Sequence, residues 1–336
     1  MLYDIKCNRS DTPCARAGHV SPACLFIGES DTVQYMDASA ISSRDAGSVT
    51  QGLLAMWVAV ASFSIADAIA KWHGQEGFAS VQIVFFRYLF GLIPVAVALY
   101  VSGLHQIRTA RPGAHVLRGV LMSAALALFF WGLNFVPLAE AIAVAFTAPL
   151  FITALSVPML AERVGLARWL AVLVGFAGML VIVRPGAETF KPEMLILVAG
   201  TAVFALGITY TRRLSRTETA ATMFTWTTFV ALSLFAPLAW WTWKMPQADH
   251  MTGFAVLGLI GGMAHYLVIV AYRNAPAAVV APQEYMALVW GAIIGWIVWS
   301  EVPSGWTWLG AAIVAGAGGF IALREARAAA RKRTRI

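Results

Sequence analysis

Ionisable side chains inside the long apolar stretches of this sequence include Asp67, Arg87, Glu140, His265 and Glu284. Placing such a group in a membrane-spanning helix costs about 2.5–3.5 kcal/mol on insertion scales. A charged group kept at that cost is typical of a site that binds a polar ligand or that takes up and releases a proton. These five residues are therefore the first candidates for substrate binding or coupling.

The most polar tripeptide in any apolar stretch is Gln283-Glu284-Tyr285, which follows Pro282. Proline has no amide hydrogen, so it leaves a helix carbonyl unpaired nearby. Glu284 can bind a proton in each cycle or hold a cationic or hydrogen-bonding substrate. The alternative is a structural glutamate that is hydrogen-bonded to neighbouring helices.

Asp67 and Arg87 lie on consecutive apolar stretches, near the same end of each. Antiparallel helices would bring them together. They can form a structural ion pair; alternatively, Arg87 binds an anionic or carbonyl group of the substrate, or Asp67 takes up and releases a proton during transport. His265 can hydrogen-bond a ligand or relay protons, and a packing role is its alternative.

Other side chains in these stretches can stack on a planar ring or hydrogen-bond a ligand, although each is also a normal packing residue. The further substrate-binding or coupling candidates are Trp131, Phe146, Thr147, Tyr266, Tyr285 and Trp290. Pro149 and Pro282 are predicted to kink their helices, which would permit gating or expose carbonyls to a cavity.

The composition is that of a membrane protein, with 60% hydrophobic and 12% charged residues over 336 positions. A spanning helix needs roughly 20 apolar residues. Ten stretches qualify, at about 52–71, 80–102, 114–135, 138–160, 166–183, 194–211, 222–243, 252–272, 277–300 and 305–323. We therefore predict an all-α integral membrane protein with ten transmembrane helices.

Polar segments flank the apolar region. Residues 1–48 have no helical period and no apolar run, which predicts a disordered cytoplasmic tail or an overlong translation start. Residues 324–336 form a basic cytoplasmic tail. All three cysteines lie in the first tail, and no metal-binding or phosphate-cradling motif is present, so no metal, cofactor or ATP-driven step is expected.

The positive charge is distributed as in a membrane protein. The net charge of +7 lies in short loops and the C-terminus, which argues against a nucleic-acid partner. With a cytoplasmic N-terminus, fifteen Lys and Arg, including Arg118, fall on the inner side. Four fall on the outer side: Lys71, Arg184, Lys191 and Lys244. This bias predicts that both termini are cytoplasmic.

A spaced signature occurs twice. Residues 119–170 align without a gap to residues 258–309, so that Pro137, Glu162 and Trp169 recur 139 positions later as Pro276, Glu301 and Trp308. The repeats are predicted to cover 52–183 and 194–323. Five spans in each half make the two halves antiparallel, an inverted repeat with the site between them. Residues that occur in both repeats are expected to have structural roles, and for Glu162 and Glu301 this is a role at a helix end. Residues that occur in one repeat alone, such as Glu284, are better candidates for substrate contact.

Several motifs carry a family resemblance over about residues 52–324. In the first half these are Phe86-Arg87-Tyr88, Leu138-Ala139-Glu140-Ala141, Phe146-Thr147-Ala148-Pro149-Leu150, Ala161-Glu162-Arg163-Val164 and Gly175-Phe176-Ala177-Gly178. In the second half they are Ala271-Tyr272-Arg273, Ala275-Pro276-Ala277, Val280-Ala281-Pro282 and Ser300-Glu301-Val302. Together they resemble the drug/metabolite transporter superfamily, EamA type. More loosely, Ala68-Ile69-Ala70-Lys71 and Ala281-Pro282-Gln283-Glu284-Tyr285 resemble bacterial members assigned to riboflavin or S-adenosylmethionine uptake.

The resemblance implies a multi-pass secondary carrier of the bacterial inner membrane that moves a small organic metabolite by alternating access. Uptake of riboflavin or S-adenosylmethionine is the expected activity, and metabolite or amino-acid export is the alternative. Contact with lipid, proton coupling and a homodimer are further expectations. Two other classes remain: an intramembrane enzyme using His265 and Glu284 as acid–base groups, and a non-transporting scaffold. The enzyme reading lacks an accompanying serine or cysteine motif.

Overall fold

The computed structural model describes residues 38–103, 107–160, 164–187, 190–215, 217–275 and 277–333. Regular structure within these ranges is helical. The helices are α1 (Ala38–Gln75), α2 (Ser80–Phe90), α3 (Leu92–Ser102), α4 (Pro112–Gly132), α5 (Leu138–Ala145), α6 (Ala148–Leu160), α7 (Leu166–Val183), α8 (Glu193–Leu214), α9 (Ala220–Trp241), α10 (Ala248–Asn274), α11 (Ala277–Val280), α12 (Met286–Trp299) and α13 (Gly305–Arg333). A 3-10 turn (Ala281–Tyr285) joins α11 to α12.

Within the described ranges, nine segments are long and apolar enough to cross a membrane. Two of them are divided, the second predicted span at Gly91 and the fourth at Phe146 and Thr147. The ninth predicted span, 277–300, is missing from these nine segments because it consists of α11, the 3-10 turn and α12, each too short to cross alone. Pro282 lies in that turn, where its missing amide hydrogen interrupts the helical ladder. The ten-span prediction is consistent with the structure once this broken segment is counted.

Both predicted tails contain helix. α1 begins at Ala38 and α13 ends at Arg333, so residues 38–48 and 324–333 are helical, contrary to the expected disorder of the first segment. The Ala- and Arg-rich sequence before Arg333 consists of strong helix formers, which lets α13 continue past the apolar span. Residues 1–37 and 334–336 lie outside the described ranges.

The helix boundaries reproduce the sequence repeat. Helices that begin 139 residues apart are α5 at Leu138 with α11 at Ala277, and α7 at Leu166 with α13 at Gly305; α6 and α12 end at Leu160 and Trp299, also 139 apart. The last residue of the 3-10 turn, Tyr285, is therefore equivalent to Phe146, where the fourth span is broken. Pro276 and Glu162, both part of the predicted signature, lie outside the described residues.

The equivalent helices α7 and α13 pack against each other through glycine. A Cβ on Gly178 would lie 2.8 Å from Ile313 Cγ2, and one on Gly310 would lie 2.5 Å from Ile182 Cγ1. Because the lower number on one helix meets the higher number on the other, the two helices run antiparallel. This is the arrangement expected of an inverted repeat, and small residues let helices approach closely in lipid.

The same symmetry relates the other main packing pairs, α1 with α10 and α4 with α8. α4 and α10 are equivalent by the repeat offset, and α1 and α8 begin the two halves. Large apolar side chains point away from the bundle, for example Tyr100 at 91% and Trp241 at 90% exposure. Lipid rather than water would solvate such a surface.

Candidate functional site

Arg87 occupies the junction of α2, α4 and α10. Its guanidinium carbon lies 5.7 Å from the centre of the Phe130 ring. A Cβ on Gly261 would come within 3.0 Å of the same carbon, so α10 makes room for Arg87 by having glycine there. Arg87 Nη1 is buried and has no hydrogen-bond partner among the described residues. A buried donor of this kind can bind an anionic or carbonyl group.

Asp67 lies on α1 and faces the same junction. Its charge and that of Arg87 attract each other. Among the described residues, however, Asp67 makes no nitrogen–oxygen ion pair within 4.0 Å. The structural ion pair that we considered from the sequence is therefore not closed. Asp67 and Arg87 therefore interact electrostatically without a direct contact within 4.0 Å.

His265 of α10 also lies at this junction, one helical turn after Gly261. Its Nδ1 is 2.9 Å from the Gly261 carbonyl oxygen, so Nδ1 carries the hydrogen and Nε2 is left as an acceptor. The imidazole meets Phe63 of α1 edge-on with ring centres 5.0 Å apart, and Phe224 of α9 lies 6.1 Å away. The junction thus combines two charges, an imidazole and aromatic rings.

Gln283, Glu284 and Tyr285 point in three directions from the 3-10 turn. Trp57 of α1 donates its indole hydrogen to Gln283 Oε1 at 2.7 Å. Tyr272 of α10 donates its hydroxyl hydrogen to Glu284 Oε1 at 2.6 Å. These contacts make the tripeptide a second polar group, tied to α1 and α10. No hydrogen bond joins it to His265 within the described residues.

Phe146 of the fourth span and Tyr285 of the ninth span are in contact where these two broken spans meet. Their ring centres are 4.7 Å apart, and the two residues are equivalent by the 139-residue offset. The predicted aromatic candidates Phe146 and Tyr285 therefore contact each other, with their ring planes tilted by 34°, rather than standing free for a planar substrate.

A third polar group closes the end of the bundle that carries the α1–α2 and α4–α5 connections, here called the distal end. Lys71 Nζ donates to the Val136 carbonyl oxygen at 2.9 Å and to Glu301 Oε1 at 2.5 Å. The Lys71 side chain is 1% exposed and that of Glu301 is 21% exposed. The sequence predicts Lys71 as an outer loop charge, but in the structure it lies inside α1 and pairs with Glu301, because a buried ammonium needs a counter-charge.

Glu301 also caps a helix of the other half. Its Oε2 accepts a hydrogen bond from the Leu138 backbone nitrogen, the first residue of α5, at 3.0 Å. This matches the helix-end role expected of Glu301, since the first amides of a helix lack internal partners. Glu140 belongs to the same distal group, because Thr307 donates to Glu140 Oε1 at 3.2 Å.

Arg118, predicted from the sequence as an inner loop charge, lies within the spanning helix α4. Its Nε donates to Thr211 Oγ1 at 2.7 Å, and its Nη1 donates to the Met223 carbonyl oxygen at 2.9 Å and to Thr227 Oγ1. Arg118 therefore ties α4 to α8 and α9. The threonines of α8 and α9 could indicate these contacts from the sequence, but assigning Arg118 to a loop places it away from them.

The remaining predicted residues lie elsewhere. Thr147 is fully buried and donates its hydroxyl hydrogen to the Val144 carbonyl oxygen at 2.7 Å. Tyr266 is 65% exposed on the bundle surface, and Trp290 packs on a core cluster of α1 and α10. These three were expected near the substrate and do not join the Arg87 junction. Trp131 lines a cavity of about 500 Å³ at the distal end.

The predicted helix breakers lie close to the observed breaks. Pro149 is the second residue of α6, directly after the interruption at Phe146 and Thr147. Proline is tolerated in the first turn of a helix because the amide there has no internal partner. Pro94 lies in the first turn of α3, directly after the break at Gly91, and was missed from the sequence.

Comparison with known proteins identifies a family with this architecture. The model of the EamA-like transporter family matches residues 50–184 and 191–323. The chain is 30% identical over 275 residues to an "S-adenosylmethionine uptake transporter" of Rickettsia felis, covering 82% of this chain and 93% of that protein. It is 31% identical over 287 residues to a "Riboflavin transporter" of Vibrio cholerae, covering 84% and 96%.

A solved structure has the same fold. The crystal structure of a protein with 20% sequence identity aligns over 83% of this chain and 98% of its own, with a TM-score of 0.58. The two family matches correspond to the two halves related by the inverted repeat.

Proposed function

The chain belongs to the EamA-like transporter family, and from this premise we propose that it imports a small zwitterionic metabolite that carries an aromatic ring, with S-adenosylmethionine as the leading substrate. It is a multi-pass membrane transporter of a bacterial family and not an enzyme, as its family and its transporter-named relatives indicate. The substrate, the direction and the coupling are the proposed parts.

The observation that carries the proposal is the buried Nη1 of Arg87, which has no hydrogen-bond partner in the described part of the chain, together with the electrostatic interaction of Arg87 with Asp67. Arginine binds a carboxylate with strong, charge-assisted hydrogen bonds, and an aspartate binds an ammonium in the same way. An α-amino acid end group carries both charges and would satisfy both residues. Riboflavin lacks that pair of charges, so the Arg87 junction favours an amino-acid-like substrate over a neutral ring.

Aromatic side chains around the junction support recognition of the rest of the molecule. Phe130 lies beside the Arg87 guanidinium, and Phe63 and Phe224 flank His265. A planar base stacks on such rings with about 1–3 kcal/mol per base in known nucleobase sites. His265 Nε2, free to accept, can receive a hydrogen bond from a ring amine.

The test is uptake by the full-length protein reconstituted in liposomes, measured as counterflow of labelled S-adenosylmethionine. We expect saturable counterflow of unmodified substrate. Arg87→Gln and Asp67→Asn should each raise KM about tenfold or more, because each removes a charge-assisted hydrogen bond. Arg212→Gln, at an exposed arginine near the end of α8, is the matched control and should leave KM unchanged.

Competition separates the candidate substrates. Unlabelled S-adenosylmethionine should compete, and its decarboxylated analogue should compete much less, because it cannot pair with Arg87. If riboflavin is carried and S-adenosylmethionine is not, or if Arg87→Gln transports normally, the amino-acid assignment is wrong. If cells that make the protein release the substrate to the medium and do not take it up, the direction of transport is export.

We also propose that both termini face the cytoplasm of a bacterial inner membrane. Arg118 and Lys71 lie within helices and leave the loop count, one from each side, and the excess of inner positive charge remains. The distal end then faces outward. Accessibility of single cysteines placed in the α1–α2 connection and at the C-terminus to a membrane-impermeant reagent tests this orientation.

Proton coupling through Glu284 and dimerisation are further proposals. Glu284 is the carboxylate of the broken ninth span and has one hydrogen-bond donor, Tyr272, among the described residues. On α13, Gly316 and Gly319 have open space where a side chain would lie, which suits close contact with a second copy. Crosslinking of a Gly319→Cys variant in native membranes tests the dimer.

A further inference from the structure

Arg118 carries a positive charge inside a membrane span without a carboxylate beside it. It follows Pro112, the first residue of α4, by six positions, which is about 9 Å along the helix. Its hydrogen-bond acceptors are the Thr211 and Thr227 hydroxyls and the Met223 carbonyl oxygen, and all three are neutral. Among the described residues, no carboxylate oxygen lies within 4.0 Å of its nitrogens. The charge is therefore available to an anionic ligand.

One edge of the Arg118 guanidinium is free to donate. Nε donates to Thr211, and Nη1 donates to the Met223 carbonyl oxygen and to Thr227. Nη2 donates no hydrogen bond within the part of the chain that the structure describes. Arg118 is half-buried, and its Nη2, unlike Nη1 of Arg87, is not among the sealed polar atoms that lack a partner, so a ligand can reach it. The three bonds fix the plane of the guanidinium, which suits a carboxylate.

Arg118 adjoins the Arg87 junction. Phe224, whose ring centre lies 6.1 Å from that of His265, directly follows the residue whose carbonyl oxygen accepts from Arg118. Tyr88, the neighbour of Arg87 on α2, experiences the charges of both arginines. His265 experiences both charges as well. Tyr88, Phe224 and His265 therefore lie between the two guanidinium groups.

The two arginines lie at different depths. Arg87 follows Ser80, the first residue of α2 at the distal end, by seven positions, or about 10 Å. Arg118 is about 9 Å from the start of α4, at the opposite end of the bundle. A span crosses about 30 Å of hydrocarbon, which leaves about 10 Å between the arginines along the membrane normal. A carboxylate that enters at the distal end would meet Arg87 first and Arg118 second.

A contact group closes the bundle just beyond Arg118, at the end opposite to the distal end. His115 Nε2 lies 3.4 Å from Glu218 Oε2, and Thr109 donates to Glu218 Oε1 at 2.8 Å. The Trp226 ring stacks on His115 with ring centres 5.6 Å apart. These contacts join the α3–α4 and α8–α9 connections. Arg118 therefore lies one helical turn behind this closure.

We propose that Arg118 is a second carboxylate-binding site, which receives the carboxylate of an amino-acid-like molecule from Arg87 before release at the end opposite to the distal end. The identity of that molecule as the transported substrate rests on the proposed function. Binding of a carboxylate to Nη2 of Arg118 does not depend on it. In the proposed orientation, this second site faces the cytoplasm.

The test uses full-length protein in nanodiscs, labelled with 5-fluorotryptophan and followed by fluorine NMR. Trp226 is the reporter, because it stacks on α4 one turn from Arg118 and precedes Thr227. Its resonance is identified as the one lost in Trp226→Phe. L-methionine should shift this resonance saturably. Methionine methyl ester, which lacks the carboxylate, and sodium chloride at equal ionic strength should not.

Variants locate the binding. Arg118→Lys should weaken the methionine titration about tenfold, because lysine keeps the charge but lacks the planar fork. Arg118→Gln removes both and should abolish the titration. Arg111→Gln is the matched control, because it removes an exposed arginine just before α4 and should leave the titration unchanged. Unchanged resonances of the other tryptophans show that each variant is folded.

The outcomes separate this site from the substrate proposal. Arg87→Gln should lose transport and keep the methionine shift of Trp226. If wild-type protein fails to carry S-adenosylmethionine but methionine still shifts Trp226 in an Arg118-dependent way, the substrate proposal is wrong and the second site stands.

Three results overturn the second site. Methionine causes no shift of Trp226, or Arg118→Lys titrates like wild type, so that Arg118 only ties helices together. In the third, the methyl ester or chloride shifts Trp226 as much as methionine does, so that no carboxylate is recognised. If Arg118→Gln does not fold, the three ligands on wild-type protein and the Arg118→Lys titration decide.

Discussion

Replacing Glu301 with glutamine should destabilise the protein by about 3 kcal/mol. The carboxylate accepts from Lys71 with one oxygen and from the Leu138 amide with the other. Glutamine has a single acceptor oxygen, so one donor would face its NH₂ group. Removing one partner of a buried ion pair costs about 3–5 kcal/mol because the other charge is stranded. We take the lower end because the Glu301 side chain is 21% exposed.

Alanine should cost about 1 kcal/mol more, since it also removes the cap on α5. The free energy of unfolding can be measured by titrating SDS into mixed micelles and following helical circular dichroism. Glu76→Gln, at an exposed glutamate of the same end, is the matched control and should stay within about 0.5 kcal/mol of wild type.

A double-mutant cycle tests the stated cause. If a stranded Lys71 charge is what destabilises E301Q, then adding Lys71→Met should recover about 2 kcal/mol, because no buried ammonium remains. If E301Q is as stable as wild type, or if the double variant is less stable than E301Q, the reasoning from the ion pair is refuted.

Three other predictions follow from contacts between helices. Arg118→Lys should lower the free energy of unfolding by about 1.5–3 kcal/mol in the same titration, because a lysine cannot reproduce a fork that bonds two neighbouring helices; an unchanged midpoint would contradict this. Gly178→Ala should cost about 1–3 kcal/mol, because the new methyl group meets Ile313; Gly113→Ala, which meets nothing within 4 Å, is its control. Glu284→Gln should abolish proton-driven accumulation in liposomes and keep counterflow, whereas loss of both would argue against a coupling role.

The sequence predicted the global architecture because that architecture depends on properties of whole segments, such as apolar length and internal repetition. Apolar length gave the spans, and the 139-residue offset gave the inverted halves, which the starts of α5 and α11 reproduce. Asp67, Arg87 and His265 were found because a charged or polar group in an apolar run stands out locally. The structure then brought these three to one junction.

Contacts between distant segments were harder to predict. Lys71 lies near the end of an apolar run, so length alone placed it in a loop, and its partner Glu301 is 230 residues away. Thr147 resembled a ligand-binding residue, but its hydroxyl donates to the Val144 carbonyl oxygen of the preceding helix α5. A hydroxyl can satisfy itself within one turn, and composition does not reveal which choice it makes.

The contact between Phe146 and Tyr285 has a kinetic consequence. Two equivalent residues that touch must lie at the axis relating the two halves. When the halves exchange conformations, residues away from the axis swap environments, whereas this pair keeps the same partner. A substitution at either ring should therefore shift the energies of the inward-open and outward-open states almost equally. Its effect should fall on the rate of crossing between them and hardly on their populations.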